Sequence, residues 1–165
     1  MEAQTILGLS FNTRNLGLAV VKLNQLVDYS SKLHKEKWSS QKREMILTSL
    51  GSCIEAYNIQ KIALSIPHPR HQTNEFTQLV TVIIAFAQMN HIGVVSYSPK
   101  DLLLFIPGSK RKNSKGFMKQ LVLLYPELEP YYEKELKNRN KYYYKMFEAV
   151  GVATLYSRKI GKWRS

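Results

Sequence analysis

The residues of this sequence that are best suited to chemistry are cations. Lysine and arginine together number 24, against 12 aspartates and glutamates, and the formal net charge is +12. Many of these cations fall in two runs, 107–116 and 157–165, which hold Lys110, Arg111, Lys112 and Lys115, then Arg158, Lys159, Lys162 and Arg164 with Trp163 beside them. Such clusters neutralise phosphates, and an indole can stack on a base. The pattern favours a nucleic acid as the partner over the alternative of solvated surface charge.

Few other side chains offer acid–base or metal chemistry. The sequence has four histidines, which are His34, His68, His71 and His91. Each could act as a base or a metal ligand, although lone loop histidines are usually incidental surface residues. Cys53 is the only cysteine, so it can form neither an intramolecular disulfide nor a zinc cluster by itself, and we expect it to pack in the interior.

The sequence also indicates a compartment. A single cysteine fits a reducing environment. No apolar run reaches the length of a membrane span, and the first residues lack the basic and long apolar regions of a secretory signal. We therefore expect a cytoplasmic protein with no membrane partner.

The candidate residues are positioned by a predicted alternation of strands and helices. Short apolar runs bounded by turn residues predict five strands, at 6–9, 16–21, 26–29, 61–66 and 93–97. Helical spacing of apolar residues predicts helices over 40–57, around 76–87, a short one from 99, around 117–124, and over 142–156. The segment 127–141 is predicted to be a loop or a short exposed helix. The segment 157–165 is predicted to be a flexible basic tail.

The connections between these elements predict an α/β fold. The first three strands are joined by short turns, so they pair antiparallel. A helix separates each later strand from the one before it, which predicts parallel pairing. Residues 1–156 are thus expected to form one domain, with a five-stranded mixed sheet flanked by helices. Gly17 predicts a close backbone approach to the second strand.

Several segments resemble RuvC-type Holliday-junction resolvases, which have an RNase H-like fold. The stretches Ile6–Ser10 and Asn15–Val21 are similar to that family's opening hairpin, in which an apolar strand precedes Asp-Pro-Gly-Thr and then Arg-Asn-Leu-Gly. Weaker similarities follow in the family's order at 61–65, 97–100 and 148–153. The resemblance covers 5–156. It implies an RNase H-like fold, a homodimer, and DNA as the partner, in four-way junction or duplex form.

The acidic residues that hold divalent metal in that family are mostly replaced here. By position, the resemblance aligns its first aspartate with Ser10, the glutamate of its second catalytic strand with Ser65, and the acidic pair of its last helix with Lys145 and Glu148. Only Glu148 keeps a carboxylate, so it is at best the one metal ligand. Two-metal hydrolysis needs two ions about 4 Å apart, and magnesium is usually held by carboxylates. We therefore expect no cofactor, unless Glu75 or other rearranged ligands hold Mg²⁺ or Mn²⁺.

These replacements change the sign of the expected pocket. Ser10, Ser65 and Lys145 offer hydroxyl donors and a cation, which can contact a phosphate directly. Arg14, Arg70 and His71 join the basic runs as candidate nucleic-acid contacts. Arg70 and His71 follow the strand at whose end the resemblance would place the substrate.

The sequence thus predicts a protein that binds nucleic acid, as branched or duplex DNA, with nuclease activity lost or much weakened. One alternative is an active metal-dependent junction endonuclease with rearranged ligands. The other is an assembly scaffold that uses the same fold.

Overall fold

The strands form one sheet. The computed structural model describes residues 4–12, 14–33, 39–108, 111–138 and 141–164, with side chains described through Arg158. The described strands are β1 Thr5–Phe11, β2 Asn15–Lys22, β3 Gln25–Leu33, β4 Lys61–Ser65 and β5 Gly93–Tyr97. Their order in the sheet is β3-β2-β1-β4-β5. The pairs β1–β2 and β2–β3 are antiparallel, whereas β1–β4 and β4–β5 are parallel. The predicted five-stranded mixed sheet is confirmed.

Helices cover both faces of this sheet. They are α1 Ser40–Tyr57, α2 Asn74–Met89, α3 Pro99–Leu102, α4 Ser114–Leu124, α5 Glu129–Lys137 and α6 Tyr144–Arg164, with short 3₁₀ turns at Pro69–His71, Leu103–Phe105 and Pro126–Leu128. Local chemistry sets several of these ends. Ser39 caps α1 by accepting a hydrogen bond from the Lys42 amide, and Asn58 ends it in a left-handed conformation.

Alternating side chains on the strands divide the core into two layers. Leu7 and Leu9 of β1 belong to the layer that packs against α1 and α2. Ile6 of β1 and Ala63 of β4 belong to the other layer, which packs against α4 and α6. Since side chains alternate along a strand, Ser10 and Ser65 face the α6 layer.

Two glycines allow α6 to lie directly on the sheet. A Cβ at Gly8 would overlap the carbonyl oxygen of Ala149, and one at Gly17 would overlap the backbone of Lys145. The predicted close approach at Gly17 is confirmed, and its partner is the first turn of α6.

Some predicted boundaries are wrong. β1 continues through Ser10 to Phe11, and β3 continues to Leu33, because both pair fully with β2. α4 begins at Ser114, where Asn113 caps it, inside the predicted basic loop. The segment 127–141 contains α5, and α6 continues to Arg164, beyond the predicted end at Tyr156. In the described part of the chain, no helix is long and apolar enough to cross a membrane.

Candidate functional site

Three side chains meet where β1 contacts the start of α6. The Ser10 hydroxyl donates a 3.0 Å hydrogen bond to Glu148 Oε1. Lys145 Nζ donates to the same oxygen at 2.8 Å. Ser10 is buried, and the Glu148 side chain is 4% exposed, whereas that of Lys145 is 23% exposed. We call this arrangement the Ser10–Glu148 site.

The local sequence explains this arrangement. Ser10 faces α6 because it shares the alternation of Ile6 and Gly8. Lys145 and Glu148 are three positions apart on α6 and therefore lie on one side of the helix. Gly17, which pairs with Ser10 across the hairpin, lets the first turn of α6 come close enough for the side chains to meet.

Ser65 lies beside this site at the end of β4. The parallel register pairs Leu9 with Leu64, so Ser10 and Ser65 are the next positions on their strands. Ser65 is buried. A serine hydroxyl can donate one hydrogen bond, so Ser65 offers a donor beside the site.

The residues present do not fit a pair of divalent cations. Among the described residues, no group of three or more histidine, cysteine, aspartate or glutamate side chains could hold a metal ion. Two further acids have structural roles. Asp28 accepts hydrogen bonds from the Tyr57 hydroxyl and the Tyr29 amide, and Asp101 completes the capping box at the start of α3. The positive charge of Lys145, which is paired with Glu148, would repel a cation bound at that carboxylate.

The expected sign of the pocket needs a correction. Ser10 and Lys145 were expected to present a free hydroxyl donor and a free cation. Instead, the hydroxyl proton of Ser10 is directed at Glu148, and the charge of Lys145 is paired with the same carboxylate. The result is a nearly neutral pocket, in which Lys145 and Ser65 keep donors and Ser10 does not.

Burial also affects the residue that begins α6. The ring of Tyr144 packs edge-on against Phe117, with 6.3 Å between ring centroids. Burial, and secondarily the negative charge of Glu148, raise the pKa of the Tyr144 phenol. The phenol is therefore neutral at physiological pH.

Exposed cations surround the end of the sheet that carries the site, which we call the hairpin end. Arg14 lies in the β1–β2 turn, whose backbone is held by the Asn12 carboxamide, and is exposed. Arg70 and His71 follow β4 and are also exposed. The Arg70 amide donates to Nδ1 of His68. The turn after β1 and the turn after β4 thus place these predicted contacts around Ser10 and Ser65.

The first basic run also lies near the hairpin end. Phe117, near the start of α4, packs against Tyr144 at the start of α6, and Tyr125, just after α4, contacts Thr154 further along α6. The two helices therefore run side by side in the same direction. This places the start of α4 beside the start of α6, together with three exposed cations of the run, Arg111, Lys112 and Lys115. Lys110 lies outside the described residues.

The second basic run lies at the other end of α6. Ser157 donates to Asn24 in the β2–β3 turn, which is opposite the hairpin end, and Arg158 is exposed beside it. The predicted nucleic-acid contacts are therefore divided between two ends of the molecule. The side chains of Lys159, Lys162, Trp163 and Arg164 lie outside the described part.

Sequence reasoning missed one residue that positions the site. Glu135 of α5 is 1% exposed, although it lies in the polar segment predicted to be exposed. Its Oε1 accepts hydrogen bonds from the amides of Tyr142 and Tyr143, at 3.1 and 3.0 Å. These amides immediately precede α6, so Glu135 holds the start of the helix that carries Lys145. Since the carboxylate is distant in sequence from the helix start, no capping motif could reveal it.

The arrangement of strands and helices matches known structures. Thermus thermophilus RuvC in complex with a Holliday junction substrate superposes with a TM-score of 0.68 and 12% identity, over 96% of each chain. A second Thermus thermophilus RuvC structure gives 0.69 and 11%, over 96% of this chain and 97% of that one. Fowlpox virus resolvase in complex with substrate Holliday junction DNA gives 0.57 and 13%, over 95% and 99%. The chain therefore has the RuvC-type resolvase fold, as its resemblance implied.

Sequence comparison adds nothing to this result. The sequence matches no protein-family model and no curated protein. At identities of 11–13%, the structural likeness establishes the fold and leaves the activity to be argued from the site.

Proposed function

We propose that this protein binds the backbone of DNA, as a four-way junction or a duplex, through the hairpin end of its sheet. It does so without a metal ion, and its nuclease activity is lost or much weakened. The observation that carries the proposal is the 2.8 Å contact between Lys145 Nζ and Glu148 Oε1. The Lys145 ammonium group is thus paired with Glu148, the one carboxylate kept at the positions where the nucleases of this fold would bind metal.

The site retains donors for a phosphate. A lysine ammonium has three N–H donors, and Glu148 is the only partner of Lys145 in the described part of the chain. The Ser65 hydroxyl is a further donor. Charge-assisted hydrogen bonds to phosphate oxygens are stronger than neutral ones. Arg14, Arg70 and the cations before α4 add the long-range attraction that a neutral pocket lacks.

The same residues are poorly suited to hydrolysis. Two-metal cleavage uses ions that activate water and stabilise the leaving oxygen. Here one carboxylate, which already accepts two hydrogen bonds, would have to replace a whole ligand set. Contact with the backbone requires none of this chemistry.

The solved relatives support a branched DNA as the first substrate to test. Two of the similar structures, Thermus thermophilus RuvC and Fowlpox virus resolvase, are complexes with Holliday junctions. A homodimer and a cytoplasmic location belong to the same proposal.

A salt series tests the proposal. Fluorescence anisotropy with a synthetic four-way junction and a matched duplex should give an affinity that falls steeply with salt, by about 0.9 log units per log unit of salt for each neutralised phosphate. Arg14→Ala combined with Arg70→Ala should reduce that slope by about two on the duplex. Lys22→Ala combined with Lys61→Ala removes the same charge at the opposite end of the sheet, where these residues pair with Thr5 and Ile6, and should leave the slope unchanged.

The alternatives predict different results. A scaffold that does not bind DNA would show no steep salt dependence. A loss of affinity in the control with Lys22→Ala and Lys61→Ala equal to that of the variant with Arg14→Ala and Arg70→Ala would show that net charge, and not the hairpin end, determines binding.

A further inference from the structure

A second cavity with donors for an anion lies at the end of α6 opposite the hairpin end. Its volume is about 340 Å³, and it is lined by Asn24, Leu124, Tyr125, Thr154 and Arg158. The 3.0 Å hydrogen bond from Ser157 Oγ to Asn24 Oδ1 holds the β2–β3 turn against α6. The cavity is therefore built from the turn, α6 and the end of α4.

Counting protons shows which groups face a ligand as donors. Thr154 Oγ1 donates its only hydrogen to the Val150 carbonyl at 2.8 Å. The 2.9 Å contact between Thr154 and Tyr125 must then be donated by the Tyr125 hydroxyl. Both hydroxyl hydrogens are thus used within the wall. Among the described residues that line the cavity, the donors left are the Asn24 amide, whose oxygen accepts from Ser157, and the Arg158 guanidinium.

The charge of Arg158 is available. Its guanidinium lies 5.5 Å from the centroid of the Phe105 ring, and a guanidinium stacked on a ring keeps its in-plane N–H groups free. Among the described residues, no carboxylate forms an ion pair with it. Glu127, two residues beyond Tyr125, is exposed and does not line the cavity.

The turn that supplies Asn24 is a two-residue hairpin turn between Lys22 and Gln25, which pair with each other. Leu23 and Asn24 have φ values of 55° and 60°, as a type I′ turn requires of both central residues. Together with the hydrogen bond from Ser157, this turn positions Asn24 beside α6.

We propose that this cavity is a second site for a backbone phosphate, and that a single copy of the protein holds two DNA segments at once. Lys145 and Arg158 are 13 positions apart on α6, which corresponds to about 20 Å along a helix. The two sites lie at opposite ends of the sheet, so they present donors to different segments. The inference rests on the proposed function, because it assigns the same partner to a new surface.

A capture experiment tests it. An immobilised duplex is loaded with the protein, and retention of a second, fluorescent duplex is measured. Arg158→Ala should reduce retention of the second duplex by about tenfold while changing the affinity for a single duplex by less than about threefold. Asn24→Gly keeps a residue that tolerates the positive φ but removes the amide, and should act in the same direction. Arg43→Ala is the charge-matched control.

The outcomes separate this inference from the proposed function. If the wild type binds no duplex, both fail. If it binds one duplex and retains no second, only the two-site inference fails. Two copies could also join two duplexes, so sedimentation of the loaded protein accompanies the assay. Retention that persists in Arg158→Ala would assign the joining to a dimer and overturn the inference.

Discussion

Replacing Lys145 by methionine would leave the Glu148 carboxylate buried, with Ser10 as its one remaining hydrogen-bond partner among the described residues. Loss of one member of a buried ion pair usually costs about 3–5 kcal/mol. Here Ser10 still donates at 3.0 Å, and the lysine side chain is 23% exposed, so water already weakens the pair. We therefore expect Lys145→Met to lower the free energy of unfolding by about 2–3 kcal/mol. For a chain of this size, that corresponds to a Tm lower by about 4–12 °C.

The reverse replacement should cost less. In Glu148→Gln the lysine loses its partner, but its exposed ammonium can turn to water, so we expect about 1 kcal/mol. Urea unfolding of the two single variants and of the double variant forms a thermodynamic cycle, for which we expect a coupling of about 1–2 kcal/mol. Lys119→Met, an exposed position on α4, is the control and should stay within about 0.5 kcal/mol of the wild type. Equal losses for the two single variants, or a coupling near zero, would refute the described pairing.

Three further changes test the packing at the start of α6 and in the opposite core layer. Gly17→Ala should destabilise the protein by about 1–3 kcal/mol, because the added Cβ would overlap the Lys145 backbone. Thermal unfolding measures this change, and an unchanged Tm would contradict the close packing of α6. Glu135→Ala should lower stability by about 1–3 kcal/mol, because two buried amides before α6 lose their acceptor, whereas Glu135→Gln keeps an acceptor and should lose less. Burial raises the pKa of the Cys53 thiol from an ordinary 9.0 to about 11. Because the folded-state pKa lies above the unfolded value, the neutral thiol contributes stability that is fully present below pH 9 and is lost as the pH rises towards 11. The urea midpoint of unfolding should therefore fall between pH 9 and 11, and it should fall less in Cys53→Ala.

The sequence could predict elements whose ends are set by neighbouring residues. The helix 40–57 and the strand 93–97 match α1 and β5 as observed. Ser39 and Asn58 supply the caps of α1 within its own sequence. The fold followed from the same local signals together with the family resemblance.

Features that depend on distant contacts could not be predicted. The burial of Glu135 arises because it reaches amides seven and eight positions ahead. The sharing of one Glu148 oxygen by Ser10 and Lys145 depends on how α6 sits against β1. The sequence predicts Ser10 and Lys145 as two separate donors. The structure shows that both donate to the same oxygen of Glu148.

The most direct test of metal-free DNA binding is a single gel series with a labelled four-way junction. The protein is incubated with the junction in EDTA, Mg²⁺ or Mn²⁺, and each sample is examined for retardation and for strand cleavage. The account predicts retardation in all three conditions and intact strands throughout. Retardation that disappears in EDTA, or strands cut when Mg²⁺ or Mn²⁺ is present, would contradict it.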